Sequence, residues 1–422
     1  MARISIVKLS EIEGDKRFDA GRYRTSFLKL EKDLKKITII RKLGYLVVES
    51  VRTGYVPRDR DIYQDDKRIH FLKTDNLREG LIDFENSDFL PARSLSKSDY
   101  LKFKNVTVTI SGVHYDIIGK AAIFLDYHPQ SVTNQNIAVI KTDENLLNPF
   151  YLTIFLNSKY GRKQFWMLCR QTEQFNLSCG EVEELLIPLF DVDFQQEIET
   201  LAKNSFDLIE KAKSLYFQAE SLLLEKLGLK GFQAKYELSY TADLSKAFGV
   251  HRIDAEYFQT TYDSFMGCLK EHSKIAKLKE FMLDFQKLKA PYEPKVGDFL
   301  LTKDVISGIA YVAKEPIEGI AVGSILILKI NENKINKEYL ALCINSIIGK
   351  LQIKREGGGA IIHWRPEQIK NLQVPVLSKK VQQEISSLIK QSYETKQRAR
   401  ELWEEAKRKV EKAIENEIHK QP

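Results

Sequence analysis

Residues 136–165 read NIAVIKTDENLLNPFYLTIFLNSKYGRKQF, and residues 324–353 read SILILKINENKINKEYLALCINSIIGKLQI. The two stretches align without a gap, and each runs from an apolar, strand-like start into a helix-like end. The identical pairs include Lys141 and Lys329, Glu144 and Glu332, Asn148 and Asn336, Tyr151 and Tyr339, Asn157 and Asn345, Gly161 and Gly349, and Gln164 and Gln352. A repeat of this length predicts two similar globular units in one chain.

The repeat extends beyond these stretches in both directions. Downstream, both copies reach a proline and then Gln-Gln-Glu-Ile, at Pro188 and 195–198 in the first copy and at Pro375 and 382–385 in the second. Upstream, LSEIEGDKRFDA at 9–20 parallels LSKAFGVHRIDA at 244–255. A duplicated chain presents two similar surfaces related by a pseudo-two-fold axis, and such surfaces suit a ligand that itself repeats.

The bulk composition is that of a soluble globular protein. The chain has 422 residues, 43% hydrophobic and 29% charged, which suits two or three domains. It contains no apolar run of membrane-spanning length, and its first residues lack the apolar core of a signal peptide. Its four cysteines form no CxxC pair, so we expect a reducing, cytoplasmic location. The net charge of +7 favours polyanionic partners but is modest for this length.

Each half of the chain reads as a globular segment followed by a long helix. We place the first domain at 1–190, the first helix at 191–235, a connector with the second domain at 236–377, and the second helix at 378–422. The first domain alternates short β-type runs with turn residues, which predicts a mixed α/β fold. These runs lie at 38–43, 45–51, 106–113, 121–127 and 136–141.

Helices inside the two domains are predicted from local patterns. Asn148-Pro149 is typical of an N-cap followed by proline at the first helical position, so a helix should begin there and continue to about Trp166. The second domain repeats this arrangement in shorter form. It should have a helical stretch near 275–288 and strands within 298–306 and 324–330.

The two long helices share a heptad seam of small and apolar residues. The seam consists of Leu201, Ser205, Leu208, Ala212, Leu215, Ala219 and Leu222 in the first helix, and of Ile385, Leu388, Ser392, Thr395, Ala399, Leu402 and Ala406 in the second. Alanine and serine allow close approach, so the helices should pair antiparallel within the chain. Packing of each seam on its own domain, or on another chain, is the alternative. Leu227-Gly228 looks like a helix end.

Connectivity adds a constraint. The block at 9–20 precedes the first domain as 244–255 precedes the second, yet no helix precedes the first block. The C-terminal helix would therefore have to return to the N-terminal part of the chain. This predicts a circular arrangement with the two termini close together.

At this point the sequence resembles the DNA-specificity subunit of type I restriction-modification systems. The resemblance lies in Arg-x-Asp-Ala at the head of each segment, in the strand-to-helix block with Asn-Ser, and in the tails LLIPLFDVDFQQEI and LQVPVLSKKVQQEI before each long helix. These residues are Arg17, Asp19, Ala20, Arg252, Asp254, Ala255, Asn157, Ser158, Asn345 and Ser346. The first segment departs from the pattern because it lacks the usual proline-rich turn after Pro188.

The resemblance implies a fold and a set of partners. The fold class is α/β (α+β), with two target-recognition domains in tandem, separated by two long antiparallel coiled-coil helices. Each domain would read one half of a bipartite sequence in double-stranded DNA. The helices would act as a ruler and as a docking site for methyltransferase subunits, two in number, and restriction/translocase subunits would complete the complex.

The loop after the repeated helix is the first candidate for DNA contact. In the second domain its three glycines would let the backbone approach a phosphate, and its arginines could bind phosphate or guanine. The two domains differ here, as two different half-sites would require. A variable surface loop without DNA contact is the alternative. The candidates are Lys354, Arg355, Gly357, Gly358, His363 and Arg365 in the second domain, and Arg170, Gln171 and Thr172 in the first.

A second candidate is HFLKTDNLREG at 70–80, in which Lys73, Thr74 and Asn76 follow an apolar strand. It resembles the family's strand-then-Thr-Asp segment, which faces DNA, although ordinary turn chemistry explains it about as well. Arg52, beside Thr53-Gly54, is a weaker candidate. Trp364 is expected in the core rather than as a platform for base stacking.

The sequence offers no catalytic residue, metal site or cofactor site. Asn148-Pro149-Phe150-Tyr151 superficially resembles the Asn-Pro-Pro-aromatic motif of amino-methyltransferases, but the repeat keeps only the asparagine and tyrosine, so helix capping and a packed tyrosine explain it better. Neither a phosphate-binding glycine loop nor metal-ligand spacing is present. Three other functions stay open: a coiled-coil adaptor with peptide-binding lobes, an enzyme with fused nuclease or methylase activity, and a specificity chain of a related system.

Overall fold

The computed structural model describes residues 6–7, 21–57, 68–92, 95–171, 174–286, 293–305, 307–357 and 362–420. The chain divides into two compact units. Unit 1 comprises residues 1–208 and 397–422, and unit 2 comprises residues 209–396. The first Arg-x-Asp-Ala motif, with Arg17, Asp19 and Ala20, lies outside the described residues.

Helices occur in both units. They are α1 Thr25–Leu34, α2 Pro149–Asn157, α3 Lys159–Leu168, α4 Cys179–Glu183, α5 Val192–Lys226, α6 Leu244–Val250, α7 Thr260–His272, α8 Lys337–Asn345, α9 Ile347–Gly357, α10 Pro366–Lys370 and α11 Lys379–Lys420. The long helices α5 and α11 each contribute one end to unit 1 and the other to unit 2. Gly228 follows α5 with a φ of +66°, so the helix end predicted at Leu227-Gly228 is confirmed.

The strands are short. In unit 1 they are β1 Ile40–Lys42, β2 Arg52–Thr53, β3 Arg68–Leu72, β4 Asp88–Pro91, β5 Val106–Thr109, β6 Ser111–Gly112, β7 Ala121–Ile123, β8 Ser131–Thr133, β9 Ile137–Ile140, β10 Arg170–Gln171, β11 Phe175–Asn176 and β12 Leu186–Pro188. In unit 2 they are β13 Lys274–Lys277, β14 Met282–Gln286, β15 Phe299–Thr302, β16 Asp304–Val305, β17 Ala310–Val312, β18 Ile325–Ile330, β19 Ile362–His363 and β20 Gln373–Val376.

The two units are built on the same sheet topology. The four-stranded sheet has the order β2-β9-β5-β7 in unit 1 and β14-β18-β15-β17 in unit 2. The pair β1-β12 corresponds to β13-β20, and β11-β6 corresponds to β19-β16. These pairings are antiparallel, which makes each unit an α+β domain and confirms the predicted fold class.

Unit 1 has an additional sheet of order β4-β3-β8, in which β3 and β8 run parallel. Strands β3 and β4 lie between β2 and β5 in the sequence, where the described part of unit 2 has no strand. The two halves therefore share a scaffold and differ by an insertion.

The repeated helix at the centre of each unit is buried because it is apolar on every side. Every residue of α2 is buried, and α8 buries its residues from Tyr339 to Ile344. In each unit the helix packs in the same core as the four-stranded sheet. This placement explains why the repeat is strongest in the sequence there.

The long helices pair antiparallel. In unit 1, Lys409 donates to the Glu197 carboxylate at 2.5 Å and the Ser205 hydroxyl donates to the carbonyl of Ala399 at 2.8 Å. Residue numbers thus rise along α5 while those of the contacting residues fall along α11, which is the pattern of antiparallel helices. In unit 2, Ser392 donates to the carbonyl of Ala212 at 2.7 Å. Hydroxyl-to-carbonyl bonds between helices require close approach, and they confirm the seam of small residues.

The last turns of α11 pack on unit 1. Thr38 donates to the Glu417 carboxylate at 3.0 Å, and the backbone N–H of Lys159 donates to Glu411 at 2.8 Å. Ile414 is fully buried. The predicted return of the C-terminal helix to the N-terminal half is therefore confirmed, whereas the pseudo-two-fold axis stays a prediction.

Gly80 makes a close contact with α11 that no other residue could make. Its φ is +83°, and a Cβ at this position would lie 2.2 Å from the ring of Trp403. We expect Gly80→Ala to destabilise the protein by about 1–3 kcal/mol, because it adds both backbone strain and a clash. Thermal unfolding measures this. Gly180→Ala is the matched control, since nothing lies within 4 Å of a Cβ there; equal melting temperatures for the two variants would contradict the account.

Three predicted elements were wrong. The single helix from Asn148 to Trp166 is two helices, because the side chain of Ser158 accepts from the Gly161 N–H and starts a new one. The stretch 275–288 is strand β13, a 3₁₀ turn and strand β14, because pairing with β20 and β18 overrides its helical pattern. The run 45–51 makes only an isolated bridge at Val47. The other predicted β-type runs, and the strands predicted in the second domain, contain strands.

Candidate nucleic-acid interface

The repeated asparagines are helix N-caps. The side chain of Asn148 accepts from the N–H groups of Phe150 and Tyr151, at 2.9 and 3.2 Å, and that of Asn336 accepts from Tyr339 at 3.1 Å. Oxygen acceptors at this position satisfy N–H groups that have no partner in the first turn. Capping, the explanation preferred over a methyltransferase motif, is therefore confirmed.

The repeated tyrosines are structural. Tyr151 donates its hydroxyl to the Pro188 carbonyl at 2.7 Å, and Tyr339 donates to the Pro375 carbonyl at 2.8 Å. Burial raises the pKa of both phenols well above the ordinary value, so neither ionises near neutral pH. Each tyrosine ties the central helix to the strand that leads into a long helix.

The repeated Asn157 and Asn345 each bridge the backbone of one strand residue. Asn157 donates to the carbonyl of Ala121 at 2.8 Å and accepts from its N–H at 3.2 Å. Asn345 makes the same two bonds to Ala310, both at 2.8 Å. One side chain thus satisfies both polar groups of a residue in β7 or β17.

The repeated glutamines do the same at a second strand. Gln164 donates to the Leu186 carbonyl at 3.0 Å and accepts from its N–H at 2.8 Å. Gln352 bonds to Gln373 at 2.9 and 2.8 Å. These residues recur because the scaffold needs them, so the candidates for ligand contact are the exposed residues that differ between the units.

A duplicated turn after β5 and β15 was missed in the sequence. Thr109 and Thr302 accept at their carbonyls from the N–H groups of Gly119 and Gly308, both at 2.8 Å. Both glycines have positive φ, of +77° and +84°. The sequence carried a signal for this turn, because each glycine lies just before the strand that contains Ala121 or Ala310. The segments between the threonine and the glycine differ in length, and this difference hides the repeat.

The predicted loop in unit 2 begins later than expected. Lys354, Arg355 and Gly357 lie in α9, not in a loop, because the helix continues to Gly357. Gly358 lies outside the described residues. The prediction that Lys354 and Arg355 belong to a loop was therefore wrong.

The two basic residues at the end of α9 differ in exposure. The Lys354 side chain is 51% exposed, and its ammonium lies 3.7 Å from the ring centroid of Tyr236. Arg355 is 27% exposed and donates to the Tyr257 carbonyl at 3.1 Å. Both cations thus have partners, since Lys354 also pairs with Glu256 at 3.8 Å, but the Lys354 side chain is the more exposed of the two.

After the predicted loop come His363 in a short strand, Trp364 in the core and Arg365 at the start of a helix. His363 lies in β19, opposite Asp304 in β16. Trp364 is only 2% exposed, which confirms that it belongs to the core. Arg365 is exposed and precedes α10, with its N–H bonded to Gln368 at 2.9 Å.

In unit 1 the predicted loop is a β-hairpin. Arg170 and Gln171 lie in β10, which pairs with β11, so their assignment to a loop was wrong. The Arg170 side chain is 66% exposed and bonds to Glu181 at 3.2 Å. Thr172 lies outside the described residues. Strand β11 of the hairpin pairs with β6, just as β19 pairs with β16 in unit 2. The two predicted contact regions therefore occupy equivalent places in the two units.

The second candidate region lies on the additional sheet of unit 1. Lys73 forms an ion pair with Asp88, and its N–H donates to the side chain of Asn76 at 2.8 Å. Asn76 is 2% exposed and also donates to the Asp83 carbonyl at 3.1 Å, so its amide is committed to the turn. Thr74 is half-buried at the start of a 3₁₀ helix.

Arg52 lies apart from that turn. It is half-buried in the edge strand β2, opposite Val139 in β9. The candidates in unit 1 therefore belong to three separate sheets.

A basic, aromatic turn in unit 1 was also missed. Equivalent turns at 102–105 and 295–298 precede β5 and β15, and in each the first N–H donates to the fourth side chain, at 2.8 and 2.7 Å. The third residue has positive φ in both, +66° at Lys104 and +89° at Gly297. Phe103, 48% exposed, stands between two lysines in the first turn. An aromatic ring flanked by cations suits a nucleic acid.

Equivalent glutamates pair with lysines from different places in the two units: Glu144 with Lys104 and Glu332 with Lys337. In unit 2, Lys337 at the start of α8 bonds to Glu332 at 2.8 Å. In unit 1 that helix position is Pro149, and the equivalent Glu144 is paired with Lys104 instead. The ion pair is partly exposed, so it recovers at most about 1 kcal/mol of the roughly 1–2 kcal/mol that the left-handed backbone of a non-glycine residue costs.

The described part of the chain offers neither a metal site nor a membrane span. Within the described ranges, His, Cys, Asp and Glu side chains do not gather in groups of three or more that could hold an ion. The same part of the chain contains no helix with the length and apolar character needed to cross a bilayer.

Solved structures resemble this chain over most of its length, although no protein-family model and no curated protein matches its sequence. The crystal structure of the type I restriction-modification S subunit from M. genitalium is 12% identical, with a TM-score of 0.44, over 90% of this chain and 96% of that one. The HsdS subunit from Thermoanaerobacter tengcongensis is 13% identical, with a TM-score of 0.31, over 90% and 96%. A chain from a study of assembly of the type I R-M system is 11% identical, with a TM-score of 0.33, over 90% and 97%. The solved chains to which this protein is similar are thus S subunits and a component of type I restriction-modification systems.

Proposed function

We propose that the chain is the DNA-specificity subunit of a type I restriction-modification system. One observation supports this most: two units share a strand order and a set of duplicated side-chain hydrogen bonds, yet differ in their exposed parts. Duplication of a scaffold with divergence of its surface is what reading two different half-sites requires. Each unit also holds part of an antiparallel helix pair, which suits a spacer.

In this proposal the target-recognition domains are 1–190 and 236–377, and the spacer segments are 191–235 and 378–422, which contain the helices α5 and α11. The duplex would lie along one face, with half-sites about one helical turn apart. Exposed cations would contact phosphates and set register, and nearby polar groups would reach base edges. The proposed contacts are Lys354, Gly357, Gly358, His363 and Arg365 in the second domain, and Arg52, Lys73, Thr74, Arg170, Gln171 and Thr172 in the first. Lys102 and Phe103 join them on the grounds of their exposure.

The additional sheet of unit 1 would enlarge the surface available to one half-site. Its Lys73 lies on this insertion, whereas the scaffold residues that both units share are buried or half-buried. The half-site read by unit 1 would accordingly be longer or differently shaped than that read by unit 2.

Two methyltransferase subunits would dock on the outer faces of the long helices, and restriction/translocase subunits would join them in the cytoplasm. Tyr216 and Phe217 support a docking role, because they stand 37% and 68% exposed on α5 within unit 2. Methylation and cleavage would belong to those partners, with no cofactor on this chain. A methyl-transfer assay on the isolated chain checks this, and turnover would contradict it.

Binding to duplex DNA should weaken steeply with salt. If the chain neutralises about six to ten phosphates, affinity should fall by about 10³ to 10⁵ between 50 and 200 mM salt. Fluorescence anisotropy with a labelled duplex measures the slope. A slope near zero would instead favour the coiled-coil adaptor with peptide-binding lobes.

Methylation mapping of the host genome tests the bipartite half of the proposal. We expect a split motif with a fixed gap, which disappears when this chain is deleted. A contiguous motif, or one that survives the deletion, would refute the assignment.

A further inference from the structure

The second Arg-x-Asp-Ala motif forms a compact network in unit 2. Arg252 donates through Nε and Nη2 to the two carboxylate oxygens of Asp254, at 2.7 and 2.9 Å. Asp254 also accepts from the N–H of Tyr257 at 3.2 Å. The Arg252 guanidinium lowers the pKa of Asp254, so the carboxylate is charged at neutral pH. The carboxylate therefore fixes the orientation of the planar guanidinium.

The remaining edge of this guanidinium reaches the end of α9. Its Nη1 donates to the backbone carbonyl of Glu356 at 3.0 Å. Glu356 is the penultimate residue of the helix, where carbonyls have no partner within the helix. A cation at this end also interacts favourably with the helix dipole. Arg252 is thus a C-terminal cap supplied from a distant part of the sequence.

An aromatic ring joins this cap to a second arginine. The guanidinium carbons of Arg252 and Arg355 each lie 4.5 Å from the ring centroid of Tyr257. Arg355 also donates to the Tyr257 carbonyl at 3.1 Å. We name the five residues Arg252, Asp254, Tyr257, Arg355 and Glu356 the arginine clamp. It joins the head of the second domain to the final turn of α9.

We propose that the arginine clamp positions the end of α9, and with it the exposed Lys354 and the contacts proposed beside it, for sequence-specific reading by unit 2. The proposal rests on the proposed function and deepens it, because it gives Arg355 a positioning role in place of a DNA contact. Arg252 is not expected to contact DNA either, because three of its N–H groups already donate to Asp254 and Glu356. Discrimination among bases requires placement within a fraction of an ångström, whereas phosphate attraction tolerates movement.

The test uses the full chain and, as probe, a pool of duplexes with randomised sequence. Bound DNA is recovered and sequenced, and base preferences are compared in the two halves of the motif. For Arg252→Ala we expect discrimination in one half to fall by about tenfold or more at a contacted base pair, with the other half unchanged. The slope of affinity against salt should not change in this variant, because no phosphate contact is lost.

Two further variants separate positioning from charge. Arg252→Lys keeps the charge but lacks the planar fork, so it should fail to restore discrimination. Lys390→Ala is the matched control: it removes one positive charge from unit 2 at an exposed side chain of α11, outside the arginine clamp. Its motif should equal that of the wild type. Asp254→Asn, which loosens the guanidinium without removing it, replaces Arg252→Ala if that variant fails to fold, and unfolding curves decide this.

The outcomes are distinguishable. A salt slope reduced by about one in Arg252→Ala would identify a phosphate contact and overturn the positioning role. Rescue by lysine, equal losses in both halves, or an unchanged motif would overturn it too. If the wild-type chain selects no split motif, the proposed function fails instead.

Discussion

Replacing Asn157 with alanine is expected to destabilise unit 1 by about 2–5 kcal/mol, because it leaves two buried backbone groups without this partner. Asn157 is 3% exposed, and it bonds to both the N–H and the carbonyl of Ala121. It also donates to the Thr153 carbonyl at 2.9 Å. At about 2–4 °C per kcal/mol, the melting temperature of unit 1 should fall by roughly 5–15 °C. Differential scanning calorimetry of the full chain measures the change.

The chain supplies its own comparisons for this experiment. Asn345→Ala removes the equivalent bridge to Ala310 and should lower the transition of unit 2 instead. Asn145→Ala removes an exposed side-chain amide that donates to the Asp143 carboxylate at 3.0 Å, and it should cost less than about 0.5 kcal/mol. If Asn157→Ala behaved like Asn145→Ala, the bridge would not stabilise the fold.

Inserting one heptad into each long helix is expected to lengthen the gap in the recognised motif. Seven residues extend a helix by about 10 Å, and this corresponds to about three base pairs of duplex. Suitable sites are after Leu208 and after Lys396, because they keep the register seen at the Ser205–Ala399 and Ala212–Ser392 contacts. The randomised duplex pool reports the new gap. An unchanged gap would refute the spacer role of the helices.

Phase along the duplex refines this prediction. Three added base pairs also rotate one half-site by about a third of a turn, so the variant should bind its new site more weakly than the parent binds its own. Three heptads add about 32 Å, close to the roughly 34 Å of one DNA turn, and should restore the affinity. A heptad inserted in α5 alone breaks the register between α5 and α11. This variant should bind neither the original motif nor the lengthened one.

Local patterns predicted the parts of the fold that depend on neighbours in the sequence. The N-cap at Asn148, the end of α5 near Gly228 and the small residues of the helix seam are confirmed because capping, turn conformation and heptad packing are set within a few residues. The burial of Trp364 followed from its size. The repeat itself predicted two units of one topology.

Other features depend on contacts between residues far apart in the chain. The end of α9 could not be located because its cap, Arg252, precedes it by about a hundred residues. The strands at 274–277 and 282–286 have a helical pattern, and only their partners β20 and β18 make them extended. The candidate site was predicted as loops, and the residues there turned out to lie in a helix and a hairpin.

Unit 2 is one continuous stretch of chain, whereas unit 1 is assembled from two stretches that flank it. During translation, all of unit 2 leaves the ribosome before residues 397–422 do, and those residues bring Trp403, Ala406, Val410 and Ile414 to the core of unit 1. The half that is synthesised first must therefore wait, partly unfolded, for the half that is synthesised second. A chain that is cut short before residue 397 would have unit 2 complete and unit 1 incomplete, and chaperones or proteases would recognise the incomplete unit.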